Sequence, residues 1–361
     1  MNSPSETRPN VSVLVVDDSA FMRTALTRMI SAEPDLTVVG TAWTGEDALV
    51  KIAALDPDVV TLDAEMPGLS GLETLRTIMT SSPRPVIMVS SITVRGAEST
   101  LDCLNAGAFD YVPKQLSATS LEIDHIRRDL TTKIRAAART RPARFSPTAK
   151  KPPRPSTPDL TETIAIPPAI VALGTSTGGP KALQDILPLL PKDFPAPVLI
   201  VQHMPAGFTA PFAQRLNSLC SVSVREATHR APVLPGVVYI APAGFHMTVE
   251  RSSESRVFIS LDAKSRKSLH VPSVDVLMES VAAGYGSFSM GVILTGMGSD
   301  GARGMKAIHS AGGFTVGQDE ETCAVYGMPR VCAEMGILKR VVPLLQIPQQ
   351  MIQATRFRQH A

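Results

Sequence analysis

The chain is poor in aromatic residues: Phe, Trp and Tyr make up 4% of its 361 residues. A surface that stacks nucleobases needs such rings. Charge of either sign is also not in excess. Lys and Arg number 35 against 33 Asp and Glu, a net charge of +2, which creates no global field for a polyanion. No nucleic-acid partner is expected. Cysteine is scarce, and Cys103, Cys220, Cys323 and Cys332 form no C-x-x-C pair. That argues against a disulfide framework and for a reducing compartment. Met1 to Asn10 is polar, without the apolar core of a signal peptide. Apolar runs are too short to span a bilayer. The expectation is a cytoplasmic protein with no direct membrane insertion.

What is present is alternation. Val11 to Val16, Leu36 to Val39, Val59 to Leu62, Pro85 to Val89 and Phe109 to Val112 are strand-like apolar runs. Between them apolar residues recur at helical spacing, as in Phe21, Ala25, Leu26 and Met29. This is the pattern of a doubly wound parallel sheet. Asp17, Asp18, Asp63, Ser90 and Lys114 each lie just past such a run. In a parallel sheet those strand ends converge on one edge. Carboxylates brought together repel unless a cation joins them, and a hard ion with oxygen ligands, Mg²⁺, suits that place. A metal and a lysine around one carboxylate fit phosphoryl transfer to it. The competing reading is aspartates that cap helices.

Val15-Val-Asp-Asp-Ser19, Thr61-Leu-Asp-Ala-Glu-Met-Pro-Gly68, Met88-Val-Ser-Ser91 and Asp110-Tyr-Val-Pro-Lys114 resemble the receiver domain of two-component response regulators. The resemblance implies a flavodoxin-like domain over residues 10–138, with Asp63 as phosphoacceptor. It implies Mg²⁺ held by Asp17, Asp18, Asp63 and the carbonyl of Glu65, with Ser90, Tyr111 and Lys114 as switch residues. One departure is Gln115, where receivers usually carry proline after the lysine; here Pro113 precedes it. Residues 139–165 are rich in proline and basic residues and poor in apolar ones. They read as a flexible linker.

A second domain is expected over residues 166–355. Ile170 to Leu173 is an apolar run that breaks into Gly174-Thr-Ser-Thr-Gly-Gly-Pro180. Ser176 in that turn has three readings: a nucleophile, part of a phosphate cradle, or a residue of a tight turn. The glycines do not fit G-x-G-x-x-G or a P-loop. Gly174 to Gly178 does fit G-x-S-x-G. His203 directly follows the apolar run Val198 to Gln202, and Asp300 lies in a glycine-rich loop after Met290 to Leu294. In a parallel sheet the three meet at one edge, as base, acid and nucleophile require. Among the other histidines, His246 is the main rival for the base. His229 and His270 read as residues of polar segments.

The motifs around Ser176 and His203, with Pro272-Ser-Val-Asp275, Leu294-Thr-Gly-Met-Gly-Ser-Asp-Gly301 and Tyr326-Gly-Met-Pro329, resemble the catalytic domain of chemotaxis protein-glutamate methylesterases. That resemblance implies a Rossmann-like domain with Ser176 as nucleophile, His203 as base and Asp300 as orienting acid. It places Thr177 and Met297 beside the site, and Val271 departs from the arginine common at its position. The implied activity is hydrolysis of glutamate methyl esters on chemoreceptors, with deamidation of receptor glutamines. A histidine kinase of the chemotaxis pathway is the implied phosphodonor, and the receiver is expected to cover the active-site approach until phosphorylated. No cofactor is implied for the esterase domain.

Overall fold

The computed structural model describes residues 10–91, 93–114, 120–139, 169–251, 256–263 and 270–356. Gln115, and the expected linker beyond Arg139, lie outside them. The chain divides into two compact units, Met1–Lys151 and Pro152–Ala361.

The first unit alternates strand and helix throughout. Its elements are β1 (Val11–Val16), α1 (Ala20–Ser31), β2 (Leu36–Ala42), α2 (Gly45–Leu55), β3 (Val59–Asp63), α3 (Gly71–Ser81), β4 (Val86–Ser90), α4 (Val94–Asn105), β5 (Asp110–Pro113) and α5 (Ser120–Ala138). All pairings are parallel, in the order β2-β1-β3-β4-β5. The central strands β3 and β4 are buried end to end, which is why they read as unbroken apolar runs. Sequence periodicity does not reveal α4. It opens with β-branched Val94, Gly96 follows, and its buried residues, Ala97, Thr100, Leu101, Cys103 and Leu104, mix small and polar side chains with apolar ones. Phe21 lies in α1, as the helical spacing implies, but is 70% exposed, because the buried face of α1 runs through Leu26, Met29 and Ile30. Phe21 sits in the first turn, off that face.

The second unit contains β6 (Ile170–Thr175), α6 (Gly179–Ile186), β7 (Val198–Gln202), α7 (Thr209–Leu219), β8 (Ser223–Glu226), β9 (Val237–Ile240), β10 (His246–Arg251), β11 (Val257–Asp262), α8 (Val274–Tyr285), β12 (Ser289–Ile293), α9 (Ala302–Ser310), β13 (Phe314–Gln318), α10 (Met328–Glu334), β14 (Arg340–Val342) and α11 (Ile347–Arg356). Seven strands form a parallel sheet in the order β14-β13-β12-β6-β7-β9-β8. The chain leaves β6 toward β7 and later returns to β12 on the other flank. The order therefore reverses between β6 and β12, the kind of point where such sheets open a crevice at their carboxyl edge. Strands β10 and β11 form a separate antiparallel hairpin. One face of the sheet packs Ile170, Ala172, Leu199 and Val201 against Val274, Leu277, Met278 and Val281 of α8. Each such side chain contributes about 1.5–3 kcal/mol on burial. This packing fixes the start of α8 beside the carboxyl edge of the sheet. Among the described residues, no helix is long and apolar enough to cross a membrane.

Candidate functional site

In the first unit, the end of β1 delivers Asp17 and Asp18 and the end of β3 delivers Asp63. Asp17 and Asp63 are buried while Asp18 is exposed. One carboxylate oxygen from each lies within 4.8 Å of the others. Lys114 Nζ reaches Asp17 Oδ2 at 2.9 Å and Asp63 Oδ2 at 2.7 Å. Burial pushes the Asp63 carboxyl up, Lys114 and the Glu65 amide pull it back, and the Asp17 charge adds to the rise; the result is about 6. Burial disfavours the Lys114 cation, yet the two carboxylates outweigh it and hold its pKa above the usual lysine value. Three carboxylates facing one ammonium leave negative charge over, and the oxygen-only donor set fits a hard divalent cation.

Glu65 and the residues expected to act as a switch have defined partners. The Glu65 amide donates to Asp63 Oδ1 at 3.0 Å, and its exposed side chain accepts from Ser91 Oγ at 3.3 Å. Ser90 is fully buried and donates to the carbonyl of Gly96 at 3.0 Å, which ties the end of β4 to α4. Tyr111 is buried, with Lys133 Nζ 5.4 Å from its ring centre.

In the second unit, Ser176 begins the turn between β6 and α6. Its amide donates to Thr295 O, and its carbonyl accepts from the Gly179 amide. Thr295 also binds the turn through its side chain, donating from Oγ1 to Thr177 O at 2.9 Å. Gly178 takes φ 75°, a left-handed conformation that favours glycine. Gly296 lies so close that a Cβ there would come within 2.9 Å of Ser176 Cβ. Met297, the next residue, is half-buried, and Thr177 is buried.

His203 follows β7, and its amide donates to Thr175 O. His203 Nε2 and Asp300 Oδ2 are 2.8 Å apart. Asp300 is held from behind: Oδ1 accepts from Ser273 Oγ at 2.8 Å and the Asp275 amide at 3.1 Å, and Oδ2 accepts from the Val274 amide at 2.8 Å. Burial would raise its pKa. The His203 contact and the Val274 and Asp275 amides more than offset that and hold the carboxyl well below the usual range. The buried His203 Nδ1 has no hydrogen-bond partner among the described residues. The histidine and the aspartate are thus joined, while the bond from Ser176 to the imidazole is not closed. Catalytic hydrogen bonds are often loose before substrate binds.

Several contributors escape a residue-by-residue reading. Gln202 Nε2 donates to both Ser176 O (3.0 Å) and His203 O (2.9 Å). A polar residue ending an otherwise apolar strand was the signal for it. Ser273 reads as a helix cap, and it does accept from the Val276 amide, but it also donates to Asp300. His270 stacks on His203, with ring centroids 4.1 Å apart and planes at 16°. His246, the rival base, is fully buried at the start of the β10–β11 hairpin, outside the parallel sheet.

Known proteins resemble both parts of this chain. The CheB methylesterase family model matches residues 171–351, and the response regulator receiver domain model matches residues 13–124. The protein-glutamate methylesterase/protein-glutamine glutaminase 1 of Oleidesulfovibrio alaskensis is 45% identical over 366 residues, covering 95% of this chain and 99% of that protein. The protein-glutamate methylesterase/protein-glutamine glutaminase 2 of Nitratidesulfovibrio vulgaris is 48% identical over 355 residues, covering 92% and 96%. Among solved structures, the Thermotoga maritima CheB methylesterase catalytic domain aligns with a TM-score of 0.50 at 42% identity, covering 52% of this chain and 99% of that one. The chain belongs to the CheB methylesterase family, with a response regulator receiver domain preceding the methylesterase domain.

Proposed function

We propose that Ser176, His203 and Asp300 carry out hydrolysis of glutamate methyl esters on the cytoplasmic helices of chemoreceptors. The same chemistry, with ammonia leaving in place of methanol, would deamidate receptor glutamines. The observation that carries the reading is the 2.8 Å contact between His203 Nε2 and Asp300 beside the Ser176 turn. With Nε2–H given to Asp300, the lone pair on Nδ1 is the base. Ser176 Oγ attacks the ester carbonyl and its proton passes to Nδ1. The carbon–methoxy bond then breaks, and methanol leaves with that proton. Water, losing a proton to Nδ1, attacks the acyl-serine, and release of the γ-carboxylate restores Ser176. The Ser176 and Gly179 amides are already committed to carbonyls. The amides of Thr177 and Met297, residues that the family resemblance places beside the site, are the donors proposed for the oxyanion.

The receiver is proposed to set the rate of this reaction through phosphorylation of Asp63 by a chemotaxis histidine kinase. Mg²⁺ would be held by the carboxylates of Asp17, Asp18 and Asp63 and the carbonyl of Glu65; when bound it neutralises charge on the transferring phosphoryl group. Lys114 supports the same charge. Ser90 and Tyr111 would change partners on phosphorylation. Methanol release from methylated receptor membranes tests the reading, with native chain against Ser176→Ala and with or without a phosphodonor. Release by Ser176→Ala at the native rate would exclude the triad.

A further inference from the structure

We propose that His270 is a positioning residue for the base His203, an inference that rests on the esterase reading above. The two imidazoles stack nearly parallel, at 16°, with centroids 4.1 Å apart. The only hydrogen bond of the His203 side chain among the described residues is the one from Nε2 to Asp300. Beyond the covalent bond at Cγ, that hydrogen bond is the one polar restraint among the described residues on the swing of the ring about the Cβ–Cγ axis. Nδ1 must nevertheless meet Ser176 Oγ within about 3 Å when substrate arrives. A flat ring against its face removes the swing.

The chain around His270 is built to hold it there. Val271 O accepts from the Gly244 amide at 3.1 Å, anchoring the segment to the loop after β9. Ser273 Oγ and the amides of Val274 and Asp275 grip Asp300. One short segment therefore braces both members of the pair, His270 on the face of the imidazole and Ser273 to Asp275 on the carboxylate. Because His270 is itself exposed while His203 is largely covered, its ring forms the solvent-side lid of the base.

The experiment compares the full-length chain with His270→Ala and His270→Phe, using methanol release from methylated receptor membranes and ¹⁵N-histidine spectra. Phenylalanine keeps a flat ring and removes the nitrogens. The expected result for His270→Ala is a kcat lowered about tenfold to a hundredfold, as for a slightly misplaced catalytic group, with KM changed less than about twofold. His203, a single Nε2–H tautomer in the native spectrum, should broaden or mix tautomers in His270→Ala. His270→Phe should restore both readouts. Native kcat and an unchanged His203 spectrum in His270→Ala would overturn the proposal. If His270→Ala does not fold, His270→Phe decides: near-native kcat supports the proposal, and a folded variant that loses about tenfold or more overturns it. A native chain that releases no methanol would instead sink the esterase reading, and the spectra alone would decide whether His270 holds the ring.

Discussion

Asp275 and Asp300 cap each other's helices. Asp300, just before α9, accepts the Val274 and Asp275 amides in the first turn of α8. Asp275, in that first turn, accepts the Gly301 and Gly304 amides at the start of α9, each at 2.9 Å. Each carboxylate meets amides left unpaired at a helix N-terminus and the positive end of its dipole. The exchange locks the two helices together and fixes the acid that faces His203.

Asp275→Asn keeps an oxygen acceptor for Gly301 and Gly304, and loses the ion pair to the exposed Arg303 at 3.0 Å. It should cost less than about 1 kcal/mol, the usual scale of an exposed pair. Asp275→Ala orphans buried amides and should cost about 1–3 kcal/mol. A double-mutant cycle with Asp300→Ala, read by urea unfolding, should give a coupling of about 0.5–3 kcal/mol. Strict additivity would show that the two caps are independent.

Asp300 also predicts a pH dependence. Its folded carboxyl titrates below the ordinary range, so the unfolded chain binds that proton more readily than the folded one. The stabilisation is complete above the ordinary value of about 4. It is lost as pH falls from there through the lower folded value. The melting-temperature gap between native chain and Asp300→Ala should therefore be widest near neutrality and shrink in acid. A gap that grows in acid would contradict the lowered Asp300 carboxyl.

Ser176→Ala and His203→Ala should each lower methanol release by orders of magnitude, and the double variant by little more, because the groups act as a unit. Asp300→Asn should be nearly as damaging. Asp300 accepts from His203, Ser273, Val274 and Asp275 at once, and an amide offers a single acceptor oxygen for them. Single-turnover phosphonylation by a serine-directed phosphonate checks the order.

Gln202→Met should preserve the side-chain volume and remove the donor shared by the Ser176 and His203 carbonyls. Loss of both bonds at a buried position should cost about 1–3 kcal/mol per orphaned group and lower kcat more than KM. An unchanged kcat would mean that the strand ends hold their geometry without it.

Asp63→Asn should abolish phosphoryl uptake from a kinase or small phosphodonor. Mg²⁺ should raise the melting temperature of the native chain by binding only the folded site, and EDTA should reverse that. Asp18→Ala removes a member of the acidic cluster and should shrink the Mg²⁺ effect. Undiminished acid-labile labelling of Asp63→Asn would place the acceptor elsewhere.

The parallel sheets were legible because their buried strands are unbroken apolar runs, and the candidate residues because each stands where such a run ends. The exposure of Phe21 within α1 was not legible in the same way. Periodicity records spacing, while burial depends on which part of the helix overlies the sheet. The helix α4 stayed hidden because polar Thr100 and small Ala97 and Cys103 share its buried face with Leu101 and Leu104, which blurs the apolar spacing.

Local chain chemistry was enough to set the strands, the turn at Ser176 and the cap at Ser273, since each depends on neighbours a few residues away. The strand order, and with it the contact of His203 with Asp300 near the Ser176 turn, depends on packing between segments far apart in the chain, 97 residues for the His203–Asp300 pair. So does the double use of Ser273 as helix cap and as donor to Asp300. The stacking of His270 on His203 likewise appears only once α8 packs on the sheet and carries its leading segment to the carboxyl edge. A hydrogen-bond donor or a ring has no direction in sequence; the fold supplies it by fixing the backbone on which each side chain stands.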